Sequence, residues 1–215
     1  MSDWPDDPPP SGGFRLPDLS SYGIILTQGD SDAIPSAGKL LKCDDPSALK
    51  VAFVDGGVSY FHEDSPCKVA LGNCDGARFG TTDPWYLPDA VWHGTHVFGI
   101  VGAVGGNSKG VAGMVPQVDS GVCYLFARVT PESGNAVRWS DALAGVEWSL
   151  DKGADVINLS FSSGSDSELA RRLLEIAKQQ GAINVAGSGN SGALKQEYPS
   201  SYPSVISVGS VGQSK

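Results

Sequence analysis

The sequence predicts an α/β domain built on a mostly parallel sheet with helices on both faces. Five short apolar runs with the β-branched content of buried strands recur along the chain, and amphipathic helical stripes fall between them. A length of 215 residues suits one domain with a substantial core better than two. Ligands of such sheets bind at the carboxyl ends of the strands, so polar residues that follow strands are the first candidates for chemistry.

Each predicted strand is a short run of mostly apolar residues. The runs are VAFV at 51–54, VCYLFA at 122–127, DVINL at 155–159, AINVA at 182–186 and VISV at 205–208. Helical spacing of apolar residues predicts helices over 139–150 and 169–177, and each stripe stops shortly before a glycine, Gly153 or Gly181. Ser165 and Glu168 have the spacing of a capping box for the second helix.

The charge balance and the amino terminus limit the possible partners. There are 24 acidic and 15 basic residues, and the net charge of −9 disfavours a nucleic-acid groove or an anionic membrane surface. No apolar run reaches the length of about 18 residues that spans a membrane. Residues 1–17, rich in Pro, Asp, Ser and Gly, are expected to be a disordered linker or pro-segment remnant without a signal peptide. Residues 18–215 are expected to form a monomeric domain.

The four cysteines contain no C-x-x-C pair, which disfavours a zinc ribbon. Cys67 and Cys74 stand seven residues apart in a polar stretch, as in a small disulfide-closed loop of an oxidising compartment. Free thiols are the alternative. Cys123 lies in the apolar run GVCYLFARV and is predicted to be a buried small hydrophobe.

Polar residues follow three of the predicted strands: Asp55, the serines of SFSS at 160–163, and Asn190. In WHGTHVFGIVGAVGG, His93 and His96 stand three apart and could share a helix face. A zinc site is disfavoured because the segment lacks the glutamate of H-E-x-x-H. Otherwise His93 is a candidate general base that Asp55 could orient.

The stretch VAGSGNSG has two interpretations. Its glycines match G-x-G-x-x-G, the loop that holds a dinucleotide pyrophosphate, while its Asn190 could be a hydrogen-bond donor held over a reacting group. The pyrophosphate loop needs a helix that starts within it and an acidic residue about 20 positions later. Pro199 and Pro203 forbid a long helix, and 204–215 contain no Asp or Glu, so a dinucleotide-dependent oxidoreductase is strongly disfavoured.

Five segments resemble the subtilisin-like serine proteases, in the family's order: VAFVDGGVSYFHED, HGTHVFGIVGAVGGNSKGVAGMVP, WSDALAGVEWSLDKGADVINLSFSSG, INVAGSGNSG and YPSSYPSVISVGSVG. The resemblance covers about residues 18–212, and HGTH followed by an apolar helix is its most specific element. It implies a three-layer subtilisin-like fold, a serine endopeptidase acting on proteins or peptides, and an extracellular or secretory location.

The resemblance also implies roles for individual residues. Asp55 would orient and charge-stabilise His93, which would act as general base and then general acid. Asn190 would donate its amide to the oxyanion. The substrate would lie against Ser160, Phe161 and Ser162, with Gly189 leaving room for a substrate side chain and Trp139 as an aromatic wall or a core residue. Calcium is expected at Asp64 and Asn107, with the loop carbonyls of Gly105, Lys109 and Val111 completing the site and Asp18 at the remaining ligand position; ordinary turn roles are the alternative.

The family's nucleophile has no counterpart in these 215 residues, because no G-T-S-x-A segment is present. The string G-x-S-x-G at 106–110 lacks the preceding strand and following helix of a nucleophile elbow. The catalytic domain is therefore expected to be cut short before its serine, so that this chain alone is inactive. A non-catalytic peptide-binding relative is the alternative.

Phe98 stands where the family has a smaller residue, which raises the risk of overpacking.

Overall fold

The structure is a computed structural model that describes residues 42–59, 62–69, 72–79, 91–115, 121–131, 136–192 and 195–211. The expected linker at 1–17, the start of the domain at 18 and the candidate ligand Asp18 lie outside these residues. The strands are β1 Leu49–Asp55, β2 Cys74–Arg78, β3 Val122–Arg128, β4 Val156–Leu159, β5 Ile183–Gly187 and β6 Val205–Val208. The helices are α1 Pro66–Val69, α2 Val91–Gly102, α3 Trp139–Asp151 and α4 Glu168–Gln179.

The six strands form one parallel sheet in the order β2-β3-β1-β4-β5-β6. The chain fills one side of β1 with β2 and β3 and then the other side with β4, β5 and β6. The strand order therefore reverses between β1 and β4, and ligands of such sheets bind at the carboxyl ends beside this point. Asp55 ends β1 and Ser160 follows β4, so both lie where ligand-binding residues are expected.

Helices cover both faces of the sheet, which confirms the predicted fold class. On one face, α3 and α4 bury Val146 and Leu174 in the same cluster as Ile157 of β4. On the other, α2 buries Phe98 against Phe53 of β1. The five predicted strands and two predicted helices are confirmed to within two residues at each end. Among the described helices, none is both long and apolar enough to cross a bilayer.

Phe98 is accommodated without overpacking because the next turn of its helix ends in glycine. The Phe98 ring is 2% exposed and meets Phe126 edge to face, with ring centroids 4.9 Å apart, and Tyr124 at 5.1 Å. A Cβ on Gly102 would lie 2.8 Å from Phe98 Cε2 and 2.9 Å from Tyr124 Cζ. The missing side chain at Gly102 therefore provides the space that the larger ring needs.

Two alanine substitutions on α2 test this packing. Gly102→Ala is expected to lower the free energy of unfolding by about 1–3 kcal/mol, because its Cβ would press on two buried rings. Gly99→Ala is the matched control, since nothing lies within 4 Å of its Cβ position, and it should gain up to about 1 kcal/mol of helix propensity. Urea unfolding of both variants measures the difference. Equal stabilities would contradict the packing argument.

One local prediction was wrong, and the prediction that Cys123 is buried was correct but missed its disulfide. The cap of α4 is Ser167, whose hydroxyl accepts a hydrogen bond from the Ala170 N–H, rather than Ser165. The backbone N–H of Ser167 donates to the Tyr202 hydroxyl, which fixes the entry to the helix two residues later than the capping-box spacing indicates. Cys123 is fully buried but is not a free thiol, because it forms a disulfide with Cys43.

The disulfide expected between Cys67 and Cys74 is present, so the alternative of two free thiols is wrong. The structure describes no free cysteine. Cross-links of this kind persist in oxidising compartments.

Candidate active site

Asp55 is a buried carboxylate at the carboxyl end of β1. It is 4% exposed, and its Oδ1 accepts a hydrogen bond from the backbone N–H of Gly56. The register of β1 with β3 fixes its position, since Asp55 lies opposite Arg128. A buried carboxylate needs such partners to offset the loss of water.

His93 lies in the first turn of α2 and contacts Asp55 directly. Its Nδ1 is 2.8 Å from Asp55 Oδ1 and 3.1 Å from Oδ2. Because a carboxylate only accepts, Nδ1 carries the proton, and Nε2 is left as the nitrogen that can accept one. Gly94 permits this approach, since a Cβ there would clash with the Gly57 carbonyl oxygen and lie 3.1 Å from Asp55 Oδ1.

The pKa values of the two histidines of α2 are shifted in opposite directions. The hydrogen bond to Asp55 raises the pKa of His93, burial lowers it by less, and the Asp55 charge raises it further. Burial lowers the pKa of His96, and the charge of His93 adds to this. No group of three or more His, Cys, Asp or Glu side chains able to hold a metal occurs among the described residues.

Asn190 lies on an exposed loop after β5. Gly189 before it has φ +99°, a backbone conformation that favours glycine. Between β5 and β6 the described residues, 188–192 and 195–204, contain no helix, which agrees with the argument against a dinucleotide loop. Within the described part of the chain the Asn190 side chain makes no hydrogen bond, so its amide is available to a ligand.

A cavity of about 190 Å³ lies between the ends of β4 and β5. Ser160, Phe161 and Ser162 line one wall, and residues 187–190 line the other. Trp139 meets the Phe161 ring edge to face at 6.1 Å and packs against the core, and it is not among the residues that line the cavity. The structure thus brings together all five residues predicted to contact substrate, four around the cavity and Trp139 behind Phe161.

The two halves of the site share one edge of the sheet. β4 lies between β1 and β5, so the strand that ends at Asp55 and the strand that leads to Asn190 are two strand spacings apart, about 10 Å. An extended peptide laid across the ends of these strands would reach both.

Asp64 and Asn107 also come together, but as hydrogen-bond partners. The Asn107 amide Nδ2 donates to Asp64 Oδ1 at 2.8 Å, and the Val111 N–H donates to Oδ2 at 2.8 Å. Asn107 Oδ1 in turn accepts from the Lys109 N–H at 2.9 Å. Burial raises the pKa of Asp64, while these hydrogen bonds lower it by less.

The string at 106–110 is not a nucleophile elbow. It follows α2 rather than a strand, and it leads into a loop that reaches Val111, where the N–H binds Asp64. Ser108 has φ 60° and is exposed. A nucleophile elbow requires a strand before its serine and a helix after it.

One buried acidic residue, next to Gly189, was not predicted from the sequence. Glu197 is 7% exposed and lies under Gly189, where a Cβ would be 2.6 Å from Glu197 Cγ. The QEYPSSYP segment has neither strand nor helix periodicity, so no sequence pattern announces that this glutamate is buried.

The sequence and the fold match known proteases. Subtilisin DY of Bacillus licheniformis is 33% identical over 196 residues, covering 86% of this chain and 67% of that protein. The thermophilic serine proteinase of Bacillus sp. (strain AK1) is 34% identical over 168 residues, covering 78% and 39%. Thermitase of Thermoactinomyces vulgaris is 34% identical over 167 residues, covering 78% and 56%. The chain therefore spans between two fifths and two thirds of these relatives.

Among solved structures, the psychrophilic subtilisin-like protease Apa1 from Pseudoalteromonas sp. AS-11 matches with a TM-score of 0.66 at 25% identity. The match covers 84% of this chain and 38% of that one. A model of the subtilase family, peptidase S8, matches residues 47–215, which include Asp55, His93 and Asn190. The chain therefore belongs to the subtilase family.

Proposed function

We propose that the whole protein is a serine endopeptidase in which Asp55 and His93 activate a serine nucleophile. The observation that carries this proposal is the contact between His93 Nδ1 and Asp55 Oδ1 at 2.8 Å, with Asp55 buried and the His93 side chain 59% exposed. Asp55 holds the ring in the tautomer that leaves Nε2 free. His93 takes the serine proton as general base and then protonates the leaving amine as general acid.

Asn190 donates to the oxyanion in this proposal. Its exposed amide follows a glycine-rich turn at the same sheet edge as Asp55, and no described group competes for it. A donor held where negative charge develops stabilises the tetrahedral intermediate more than the substrate.

The substrate is a protein or peptide in extended conformation. Ser160, Phe161 and Ser162 leave the end of β4 beside the cavity and offer main-chain groups for pairing with a peptide. Trp139 supports this wall through Phe161. Gly189 in the opposite wall leaves room for a substrate side chain.

The activity is proposed for the whole protein because this chain spans 39–67% of the relatives compared above. The 215 residues contain no segment that matches the family's G-T-S-x-A pattern. In this proposal they supply the carboxylate of Asp55, the general base His93 and the oxyanion donor Asn190. The two disulfides favour an extracellular or secretory location.

Cleavage of an internally quenched peptide by the full-length protein tests the proposal. The wild type is expected to hydrolyse the peptide, and His93→Ala is expected to lose at least about a thousandfold in turnover. The alternative, a non-catalytic peptide-binding relative, predicts that the peptide binds to both proteins and is cleaved by neither.

The described residues do not fit the calcium site expected at Asp64 and Asn107. Calcium needs about six to eight oxygen ligands, and here N–H groups are aimed at both Asp64 oxygens while the Asn107 oxygen is used by Lys109. Turning the amide over would break two of these hydrogen bonds. We therefore assign no role to a metal at this loop and treat it as held by hydrogen bonds.

Calcium is expected not to change the melting temperature of the full-length wild type through this loop. The comparison is between calcium chloride and chelator. Asn107→Asp should be less stable in chelator by about 1–3 kcal/mol, because a carboxylate would replace the amide that donates to Asp64. A calcium-induced rise in wild-type melting temperature that disappears in Asn107→Ser would contradict this account.

A further inference from the structure

The first turn of α2 fits against the segment that follows β1 along three pairs of residues. Consecutive residues of the helix meet every second residue of the segment, namely His93 with Asp55, Gly94 with Gly57, and Thr95 with Ser59. The middle pair is a close approach, since a Cβ on Gly94 would clash with the Gly57 carbonyl oxygen. The third pair is a hydrogen bond, in which the Ser59 backbone N–H donates to Thr95 Oγ1 at 2.9 Å.

The rest of the packing of α2 does not fix the tilt of its first turn. Further along the helix, the Phe98 ring meets Phe53 of β1 edge to face, with ring centroids 5.6 Å apart. Apolar contacts of this kind have little directionality. His93 precedes Phe98 by five residues, which is about 7.5 Å along the helix axis, so a tilt of about 8° at Phe98 would move His93 by about 1 Å. A directed bond near His93 opposes this tilt.

Thr95 supplies that bond without touching the proposed catalytic pair. In the part of the chain that the structure describes, its hydroxyl bonds to Ser59 and not to Asp55 or His93. It is also not among the residues that line the cavity between β4 and β5. Any effect of Thr95 on the pair is therefore transmitted through the backbone of the helix and of the segment after β1.

We propose that Thr95 is a positioning residue, whose hydroxyl accepts the Ser59 N–H and thereby holds the first turn of α2 where His93 Nδ1 bonds to Asp55. This inference rests on the proposed function, in which His93 is the general base. A displacement of about 1 Å at a catalytic group can cost about 10²-fold in rate. The pKa of His93 reports the same contact, because the hydrogen bond to Asp55 is the main cause that raises it.

A small cavity beside this bond allows its positioning role to be separated from a contribution to stability. Ser59, Thr95, Phe98 and Gly99 are among the residues that line it, and its volume of about 20 Å³ is enough for one water molecule. When the Thr95 hydroxyl is removed, a water here can accept a hydrogen bond from the Ser59 N–H. The donor then does not stay buried without a partner, so the fold is kept while the bond between helix and segment is lost.

Three substitutions of Thr95 in the full-length protein test the inference. Thr95→Val and Thr95→Ala remove the hydroxyl and are expected to lower kcat for the quenched peptide by about 10- to 100-fold, with KM within about threefold of the wild type. Both should also lower the pKa of His93 measured by NMR. Thr95→Ser keeps the hydroxyl and should restore kcat to within about threefold and the wild-type titration of His93.

Ser167→Ala is the matched control, since it removes another hydroxyl that accepts from a backbone N–H, at the cap of α4. It should lower stability towards urea without changing kcat or the titration of His93. Circular dichroism verifies that each variant folds, and Thr95→Ala, which raises helix propensity, keeps the test available if Thr95→Val unfolds.

Three results would overturn the inference and leave the proposed function intact. The first is a wild-type titration of His93 in Thr95→Ala together with kcat within about threefold. The second is a loss of kcat that Thr95→Ser does not restore, and the third is an equal loss in Ser167→Ala. Absence of cleavage by the wild type overturns the proposed function instead, and a lowered pKa of His93 in Thr95→Ala would then still support the positioning of the helix by Thr95.

Discussion

The Asp55→Asn variant of the full-length protein is expected to lose about four orders of magnitude in turnover at neutral pH, the loss measured for the same substitution in another serine protease. The asparagine amide can donate a hydrogen bond to His93 Nδ1. Nδ1 accepts such a bond only in the tautomer that carries its proton on Nε2. A ring in that tautomer cannot take a proton from the nucleophile. Hydrolysis of the quenched peptide by both proteins measures the loss.

The same variant should shift the titration of His93. The hydrogen bond to Asp55 raises the pKa of His93 above its ordinary value of 6.5, so its loss should lower the pKa measured by NMR. Because the folded-state pKa is raised, the contact contributes stability that is fully present below pH 6.5 and is lost as the pH rises through the folded pKa.

The stability difference between the wild type and Asp55→Asn should therefore be larger at about pH 5 than at about pH 9 when measured by urea unfolding. His96 provides an internal control in the NMR experiment, since burial is the main cause of its lowered pKa. An unchanged His93 titration in Asp55→Asn would contradict the geometry of the pair.

The Asn190→Leu variant is expected to lower turnover by about 10²- to 10³-fold with little change in peptide affinity. This magnitude is the one measured on removal of an oxyanion-hole asparagine in a subtilisin. Leucine has a similar size but no polar group, so it removes the N–H donor with little change in side-chain volume. The substrate carbonyl carries its full negative charge only in the transition state, which is why affinity should be spared.

Two measurements separate this role from a structural one. Turnover of the quenched peptide should fall, while the calorimetric affinity for an unreactive peptide should stay within about threefold of the wild type. A parallel loss of affinity and turnover would mean that Asn190 shapes the groove. Unchanged turnover would reject its role as oxyanion donor.

The sheet could be predicted because its inner strands are apolar on both faces. Runs such as VAFV in β1 and VCYLFA in β3 are typical of strands that are covered on both faces of a parallel sheet. The edge strand β2, with the sequence CDGAR, could not be found in this way, because an edge strand with one paired side tolerates polar residues and glycine.

The site residues at strand ends could be predicted for the same reason. Asp55 and Asn190 each follow an apolar run, and strand ends are where ligands of parallel sheets bind. The positions of Glu197 and Gly102 in the packing were not predicted, because they depend on residues that are adjacent in space and not in sequence. Only the structure brings Glu197 under Gly189, and Gly102 beside the ring of Phe98.

The expectation of calcium depended on the residue types Asp64 and Asn107, and it did not take account of the N–H groups that bind their oxygens. Asp64 and Asn107 do meet, as the resemblance implies, yet N–H groups surround the carboxylate. A sequence shows that an oxygen ligand is available, and it does not show whether a neighbouring amide already uses it.

Covalent labelling by a fluorophosphonate tests the central claim most directly, namely that Asp55 and His93 activate a serine. The full-length wild type is expected to carry one stoichiometric adduct on a serine, located by mass spectrometry of its peptides. His93→Ala should react at least about a thousandfold more slowly, because the nucleophile then lacks its general base. A wild type that binds peptides but takes up no label, or labels no faster than His93→Ala, would contradict the account and favour a non-catalytic peptide-binding protein.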